Sequence, residues 1–157
     1  DKGIQECLFV GNLDAKRDWG HAEEYVKLQW KILQQKDPDD YVIATGRQES
    51  VRKFIELSSI KLGWEGICWE GSGLNEIGRR KDSGEIVVKI DKRYFRPTEV
   101  DSLLGDSNKA KQKLGWNSQI TLEELVSEMI DSDNEIALQK VTLENSGFKV
   151  FKKNNYD

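Results

Sequence analysis

Two arginines in this sequence stand where the local pattern could hold an anion. Arg17 follows an apolar run that ends at Gly11, and it directly precedes Asp18, where a helical pattern begins. The amino terminus of a helix attracts phosphate through its unpaired N–H groups and its dipole, and an arginine can donate two parallel hydrogen bonds to such a group. The plainer alternative is a solvated Arg17, or an ion pair between Arg17 and Asp14 or Asp18.

Arg96 is the second candidate for binding an anion. Pro97 restricts residue 96 to an extended conformation, and Glu99 lies in the first turn of a short helix predicted to run from Pro97 through Leu104. An arginine for phosphate and a nearby carboxylate for ribose hydroxyls would together hold a nucleoside diphosphate. Spacing alone favours an ordinary surface pair between Arg96 and Glu99, which contributes little to stability.

The remaining candidates for chemistry are weaker. His21 has no cysteine or second histidine with which to share a metal, so a structural or hydrogen-bonding role is expected. The glycines of 71–73 resemble a phosphate loop, but no helical pattern follows them, and the dinucleotide fingerprint requires one. No tyrosine has a lysine four positions later. The residues therefore predict no catalytic centre, no metal site and no cofactor site.

Composition limits the class of protein. The chain has 157 residues, a net charge of −4 and 37% hydrophobic residues, which is typical of one globular domain without a nucleic-acid-binding surface. No run of 18 apolar residues could cross a membrane. Cys7 and Cys68 form no CxxC motif, and we expect both to be reduced and buried. With no basic and apolar leader, these features predict a cytoplasmic protein.

The hydrophobic pattern alternates between strands and helices in the first part of the chain. Buried strands are predicted at 7–10 and 41–45, and helices are predicted from Asp18 and from Ser50. Two further strands are predicted within 64–71 and 85–90, with a polar loop or flap over 72–84 between them. The first helix is expected to bury the apolar face formed by Ala22, Tyr25, Val26, Trp30 and Leu33.

Helices are predicted for the second part of the chain. One starts at Asp106 or Ser107 and ends at Gly115, and another starts at Thr121, which forms a capping box with Glu124. The pattern indicates an α/β protein with too few βα repeats for a complete doubly wound sheet. We therefore expect exposed apolar surface where a missing sheet would pack, whereas the five tryptophans are expected to pack in the core.

Four segments together resemble the GDP-mannose 4,6-dehydratase family of extended short-chain dehydrogenase/reductases. They are GNLDAKRDWGHAEEYV (11–26), YVIATG (41–46), YFRPTEVD (94–101) and KAKQKLGW (109–116). The first and third are highly specific, and the likeness extends from residue 7 to about residue 136. It implies the C-terminal part of a Rossmann-type fold, mainly the substrate-binding domain with the last strands of the sheet. Residues 1–140 would form this portion and 141–157 a polar tail.

The resemblance also implies an activity and a set of binding residues. The family converts GDP-mannose to GDP-4-keto-6-deoxymannose with tightly bound NADP, as a homodimer or homotetramer. Asn12 and Arg17 would hold the nucleotide, with Arg17 on the diphosphate; Arg96 would contact phosphate, Glu99 would bind ribose hydroxyls, and Lys16 is a further candidate. The NADP fingerprint and the tyrosine–lysine pair belong to the part of the family that precedes the Cys7 strand. The chain alone is therefore predicted to be inactive and to bind no cofactor.

Two rival functions stay open at this point. One is a related GDP- or UDP-sugar reductase or epimerase, against which the segments 11–26 and 94–101 favour the dehydratase. The other is a non-catalytic module that binds sugar nucleotides. The sequence does not fix the nucleotide base that is preferred, the oligomeric state or the downstream pathway.

Overall fold

The computed structural model describes residues 6–99 and 104–148. Within these ranges the strands are β1 Leu8–Val10, β2 Lys16–Arg17, β3 Glu49–Ser50, β4 Ile67–Glu70, β5 Ile77–Arg80 and β6 Ile86–Ile90. The α-helices are α1 Ala22–Leu33, α2 Val51–Lys61, α3 Asn108–Leu114 and α4 Leu122–Asn145, and a short 3-10 helix covers Gly73–Asn75. The predicted α/β class is confirmed.

A mixed four-stranded sheet in the order β1-β6-β5-β4 supports the fold. Strands β4, β5 and β6 form an antiparallel meander, and β1 pairs in parallel with β6. Strands β2 and β3 form a separate antiparallel pair. Ile67 and Val88 of the sheet, Leu13 of the loop after β1 and Ile55 of α2 make a buried cluster. This cluster fixes the loop after β1 against the sheet and α2.

The polar loop predicted over 72–84 is wrong, because it contains β5. The sequence does not indicate this strand because two of its residues are arginines. In the structure Arg79 pairs with Glu70 at 3.0 Å and Arg80 pairs with Asp82 at 2.6 Å. The inward position is Gly78, where an added Cβ would lie 2.8 Å from the Trp69 ring. A strand made of one isoleucine, one glycine and two arginines has no apolar alternation to detect. The predicted strands on either side are confirmed as β4 and β6.

The strand predicted at 41–45 is also wrong, since this segment has no ladder partner among the described residues. Its end is held instead by Asp18, whose carboxylate accepts hydrogen bonds from the backbone N–H groups of Thr45 and Gly46, both at 3.0 Å. Asp18 is therefore not the cap of α1. The cap is His21, whose Nδ1 accepts from Glu23 N at 3.2 Å, which confirms the hydrogen-bonding role expected for this histidine.

Helix α1 buries a face that shares only Tyr25 with the one predicted. Leu28 is fully buried against Ala110 and Trp116, whereas Val26, Trp30 and Leu33 are 60%, 63% and 80% exposed. The packing prediction thus holds for Trp116 and fails for Trp30. The exposed residues form a stripe at i, i+4 and i+7, which we call the α1 stripe. The sequence analysis predicts exposed apolar surface in this chain, and the α1 stripe is such a surface. Cys68 is exposed as well, contrary to prediction.

The predicted helix ends are largely confirmed. The Ser50 hydroxyl caps α2 by accepting from Lys53 N at 3.1 Å, and Gly115 ends α3 in the left-handed conformation at φ 61°. Helix α4 continues past residue 140 as far as Asn145, so the division into 1–140 and 141–157 stays a prediction. Residues 149–157 lie outside the described part. Among the residues described, no helix has both the length and the apolar character to cross a bilayer.

Loss of the α4 cap gives a first testable prediction. The Thr121 hydroxyl accepts from Glu124 N at 3.2 Å, and the Glu124 carboxylate accepts from Thr121 N at 2.8 Å. We expect Thr121→Ala to lower the free energy of unfolding by about 1 kcal/mol, the usual cost of losing such a cap. Urea unfolding measures it. Thr142→Ala is the control, because Thr142 lies inside α4, where alanine is a better helix former. Equal losses in both variants would contradict the prediction.

Tyr25 gives a prediction at high pH. Burial, followed by the negative charge of Asp18, which accepts a hydrogen bond from the Tyr25 hydroxyl at 3.3 Å, raises the pKa of Tyr25 to about 12. An unfolded tyrosine has a pKa of about 10. From about pH 10 to about 12 the unfolded state releases a proton that the folded state keeps, so the free energy of unfolding should fall as the pH rises.

Comparison with Tyr25→Phe isolates this contribution from the lysines and other tyrosines that titrate in the same range. The difference in unfolding free energy between wild type and variant should shrink as the pH rises. A difference that stays constant across the range would show that Tyr25 does not titrate in this way.

Candidate functional site

The parallel pairing of β1 and β6 brings the carboxyl ends of both strands to one edge of the sheet. Asn12 follows β1 and Arg96 lies beyond β6, and the two exchange hydrogen bonds. The Asn12 side-chain Nδ2 donates to Arg96 O at 2.9 Å, and Arg96 N donates to Asn12 Oδ1 at 2.8 Å. The Asn12 amide thus donates one hydrogen bond to the backbone of residue 96 and accepts another from it. This pair of bonds holds the two loops together.

Gly11 allows the two loops to come this close. A Cβ at residue 11 would lie 2.2 Å from Tyr94 O and 2.8 Å from Tyr94 C, which are backbone atoms that cannot move aside alone. The requirement is for space, since Gly11 is not among the glycines with positive φ. A side chain there would push residues 94–96 away from Asn12.

Arg17 and Glu99 form an ion pair beside this junction. Arg17 NH2 lies 2.9 Å from Glu99 Oε1, and the Glu99 side chain is 15% exposed. Arg17 lies in β2, which pairs with β3, so the predicted position of Arg17 at a helix amino terminus is wrong. The alternative pairs considered for Arg17 do not form either: Asp14 pairs with Arg52, and Asp18 binds the backbone of 45–46. The partner of Glu99 is Arg17, 82 residues away in the sequence, and not Arg96.

A small cavity of about 190 Å³ opens between these loops. The residues that line it include Asn12, Asp14, Glu76 and Glu99. Carboxylates accept hydrogen bonds from hydroxyl groups, and an amide can both donate to them and accept from them. The lining therefore suits a sugar more than an anion. The volume is below that of a typical pocket for a drug-sized ligand, so the cavity has room for a single ring.

The other three predicted residues, Lys16, Arg17 and Arg96, are not among those that line the cavity. Arg96 and Lys16 are both exposed, and Arg96 contributes its backbone to the junction with Asn12. Residues 97–98 form a turn, while the helix predicted to continue to residue 104 falls partly on 100–103, outside the described residues. The structure thus brings Asn12, Arg17, Arg96 and Glu99 to one edge of the sheet, with Lys16 at its side on β2.

Sequence reasoning did not select Asp14 and Glu76 of the cavity wall as binding residues, nor Arg52, which pairs with both of them. Arg52 of α2 binds Asp14 through Nε at 2.8 Å and through NH2 at 3.0 Å, and it binds Glu76 through NH1 at 2.6 Å. The guanidinium also lies 4.8 Å from the centre of the Trp69 ring. Glu76 could not be recognised because it falls in the stretch predicted to be a loop.

Two kinds of ligand site can be checked directly among the described residues, a metal site and a dinucleotide loop. Among them, no group of three or more histidine, cysteine or acidic side chains is placed to bind a metal. The 71–73 glycines lead into a 3-10 helix of three residues, and not into the α-helix that a dinucleotide site requires.

Comparison with known proteins connects this site to a family. The family model described as GDP-mannose 4,6 dehydratase matches residues 1–129, which includes the whole junction of 11–17 and 94–99. The chain belongs to the GDP-mannose 4,6-dehydratase family. The resemblance carried by the four sequence segments is thereby confirmed.

Curated relatives in this family are similar over most of the chain. The human GDP-mannose 4,6 dehydratase is 52% identical over 134 residues, which are 85% of this chain and 36% of the relative. The enzyme of Yersinia enterocolitica is 46% identical over 158 residues, 94% of this chain and 42% of the relative. The chain therefore spans about two fifths of the length of these dehydratases.

Solved structures agree on the fold. RMD from Pseudomonas aeruginosa complexed with NADPH matches with a TM-score of 0.60 and 18% identity over 83% of this chain and 37% of that one. UDP-glucose 4-epimerase from Bifidobacterium longum in complex with NAD+ and UDP matches with a TM-score of 0.61 and 18% identity over 85% and 36%. This family member thus has part of the Rossmann-type extended short-chain dehydrogenase/reductase fold, as predicted.

Proposed function

We propose that this chain is the sugar-nucleotide-binding portion of a GDP-mannose 4,6-dehydratase, the lyase that forms GDP-4-keto-6-deoxymannose. The observation that carries the proposal is the junction at the carboxyl ends of β1 and β6, where the motifs 11–17 and 94–99 meet. Asn12 and Arg96 exchange two hydrogen bonds there, and Arg17 pairs with Glu99 beside them.

Each side chain of the junction has a role in this proposal. The exposed side chain of Arg96 and the guanidinium of Arg17 bind the diphosphate, since arginine donates well-aligned pairs of hydrogen bonds to phosphate oxygens. Glu99 uses one carboxylate oxygen to hold Arg17 in place and has the other to accept a ribose hydroxyl. Asn12 positions the loops, and Lys16 adds positive charge at the edge.

Among the described residues, the glycines of 71–73 are followed by a 3-10 helix and not by the α-helix of a dinucleotide site. We propose that NADP, which takes up and returns the hydride in this chemistry, binds the complete enzyme through the portion that this chain does not span. Binding of NADPH by the Pseudomonas relative in fold is consistent with that proposal. The chain alone should bind no NADP and should show no dehydratase activity.

We further propose that the α1 stripe and the unpaired segment 41–45 dock against that cofactor-binding portion. The stripe is exposed along α1, and Val42 on the neighbouring segment is half exposed. A strand-like segment without a partner next to an uncovered apolar helix is what the edge of an interrupted sheet presents. The complete enzyme is proposed to be cytoplasmic and to be a homodimer or homotetramer.

Titration calorimetry with GDP-mannose and UDP-glucose tests the binding function. GDP-mannose should bind the chain at least 10-fold more tightly, a difference of about 1.4 kcal/mol. Tighter binding of UDP-glucose would support the epimerase alternative, and binding of neither would contradict the assigned site.

Complementation tests the docking surface. The chain should recover dehydratase activity with NADP when it is produced together with the amino-terminal portion of a relative, and Trp30→Ser should reduce that recovery. Leu143→Ser serves as the control, because Leu143 is an exposed leucine near the end of α4, away from the stripe. Activity of the chain alone, or equal effects of both variants, would contradict the proposal.

A further inference from the structure

We infer that Arg52 is a positioning residue that holds the two sides of the sugar-nucleotide cavity at their working separation. The inference rests on the proposed function of that cavity. It assigns a role to a residue of α2 that lies outside both of the motifs that identify the family.

The contacts of Arg52 span the cavity wall. On one side, its Nε and NH2 donate to the two carboxylate oxygens of Asp14 at 2.8 and 3.0 Å, and its backbone N–H donates to Leu13 O at 2.8 Å. On the other side, its NH1 donates to Glu76 Oε1 at 2.6 Å. One side chain thus joins the loop that carries Asn12 to the start of β5.

The environment of Arg52 makes this joint rigid. Its side chain is 21% exposed, and Cζ of its guanidinium lies over the Trp69 ring at 4.8 Å from the ring centre. Three of its five N–H donors are engaged by two carboxylates, so rotation of the side chain would break several contacts at once. Glu76, at 14% exposed, needs this partner because a mostly buried carboxylate without a counter-charge is costly.

Asn12 transmits the effect to the binding junction. It lies one residue before Leu13 and two before Asp14, which Arg52 holds through backbone and side chain. The short connection leaves Asn12 little freedom to leave its partner Arg96. Removing the Arg52 side chain should therefore loosen the Asn12–Arg96 pair without unfolding the chain as a whole.

Lysine is not an adequate replacement for Arg52. Its ammonium has a single nitrogen, whereas the guanidinium presents Nε and NH2 to one carboxylate and NH1 to another in one plane. We expect Arg52→Lys to retain, through its charge, part of the attraction to Asp14 and Glu76. Arg52→Ala should lose both of these ion pairs.

Hydrogen exchange by NMR on the free 157-residue chain tests the inference. The Arg96 N–H, which donates to Asn12 Oδ1, should exchange about 10-fold faster in Arg52→Ala, and by a smaller factor in Arg52→Lys. The Leu125 N–H, which donates to Thr121 O in the first turn of α4, should keep its rate. Arg79→Ala is the matched control, since Arg79 also pairs with a carboxylate, that of Glu70, but Glu70 does not line the cavity, whereas both carboxylate partners of Arg52 do.

Two results would overturn the inference. One is an unchanged rate at Arg96 in Arg52→Ala, and the other is equal acceleration at Arg96 and Leu125, which would indicate a general loss of stability. If Arg52→Ala does not fold, Arg52→Lys and Asp14→Ala decide the question by the same readout, because Asp14 is largely exposed and its loss is milder. Calorimetry then separates the two proposals. Failure of the wild type to bind GDP-mannose counts against the proposed function, whereas the exchange rate of the Arg96 N–H tests the role of Arg52 independently of binding.

Discussion

Arg17→Leu is expected to weaken binding of GDP-mannose by about 10- to 100-fold, the effect of losing charge-assisted hydrogen bonds to a phosphate. The variant removes the guanidinium proposed to bind the diphosphate. It also leaves Glu99 without its partner at 2.9 Å, so the carboxylate proposed to bind the ribose is no longer held in place. Calorimetric titration with GDP-mannose measures the change in Kd.

Two further variants make this result specific. Arg17→Lys keeps the positive charge and loses the planar fork, so its affinity should fall between those of wild type and Arg17→Leu. Arg93→Leu is the control, because Arg93 also pairs with a carboxylate, that of Asp91 at 3.0 Å, and is highly exposed. If Arg17→Leu keeps the wild-type affinity for GDP-mannose, or if Arg93→Leu loses as much affinity, Arg17 does not bind the ligand as proposed.

Gly11→Ala should lower both stability and ligand affinity. The added methyl group would lie 2.2 Å from Tyr94 O, and the backbone must shift to admit it. Forcing extra volume into a packed position costs about 1–3 kcal/mol. The shift separates Asn12 from Arg96, so we expect affinity for GDP-mannose to fall more steeply than stability alone would require. Urea unfolding and titration calorimetry on the same variant measure the two effects.

Gly46→Ala separates the steric effect from ordinary backbone strain. Gly46 has φ 75° and nothing within 4 Å of an added Cβ, so alanine there costs conformational strain without a clash. It should reduce stability modestly and leave the Asn12–Arg96 pair intact. Equal losses of affinity in the two variants would argue against a close approach at Gly11 as the determinant of the site.

The sequence by itself determined the features that depend on neighbouring residues. Capping at Ser50 and Thr121 and termination at Gly115 were predictable, because each depends on hydrogen bonds or backbone angles within one turn. Strand β6 was predictable because four of its five residues are isoleucine or valine. The motifs 11–26 and 94–101 identified the family, and with it Asn12, Arg17, Arg96 and Glu99 as candidates.

The tertiary structure alone decided which candidates meet and by which atoms. The pair between Arg17 and Glu99 and the reciprocal bonds between Asn12 and Arg96 each join residues more than 80 positions apart, and they follow from the parallel register of β1 with β6. No local pattern encodes such a register. Likewise, β5 has arginines and a glycine where a strand usually alternates apolar residues, and only its two neighbouring strands make it a strand.

Packing also decided which helix face is covered. The pattern of α1 contains two apolar faces, one through Leu28 and one through Trp30, and hydrophobicity alone does not rank them. Leu28 is buried because α3 and Trp116 pack against its side of the helix, whereas the α1 stripe is exposed. Periodicity reports that a residue is apolar, whereas burial depends on which partner element is present to exclude water from it.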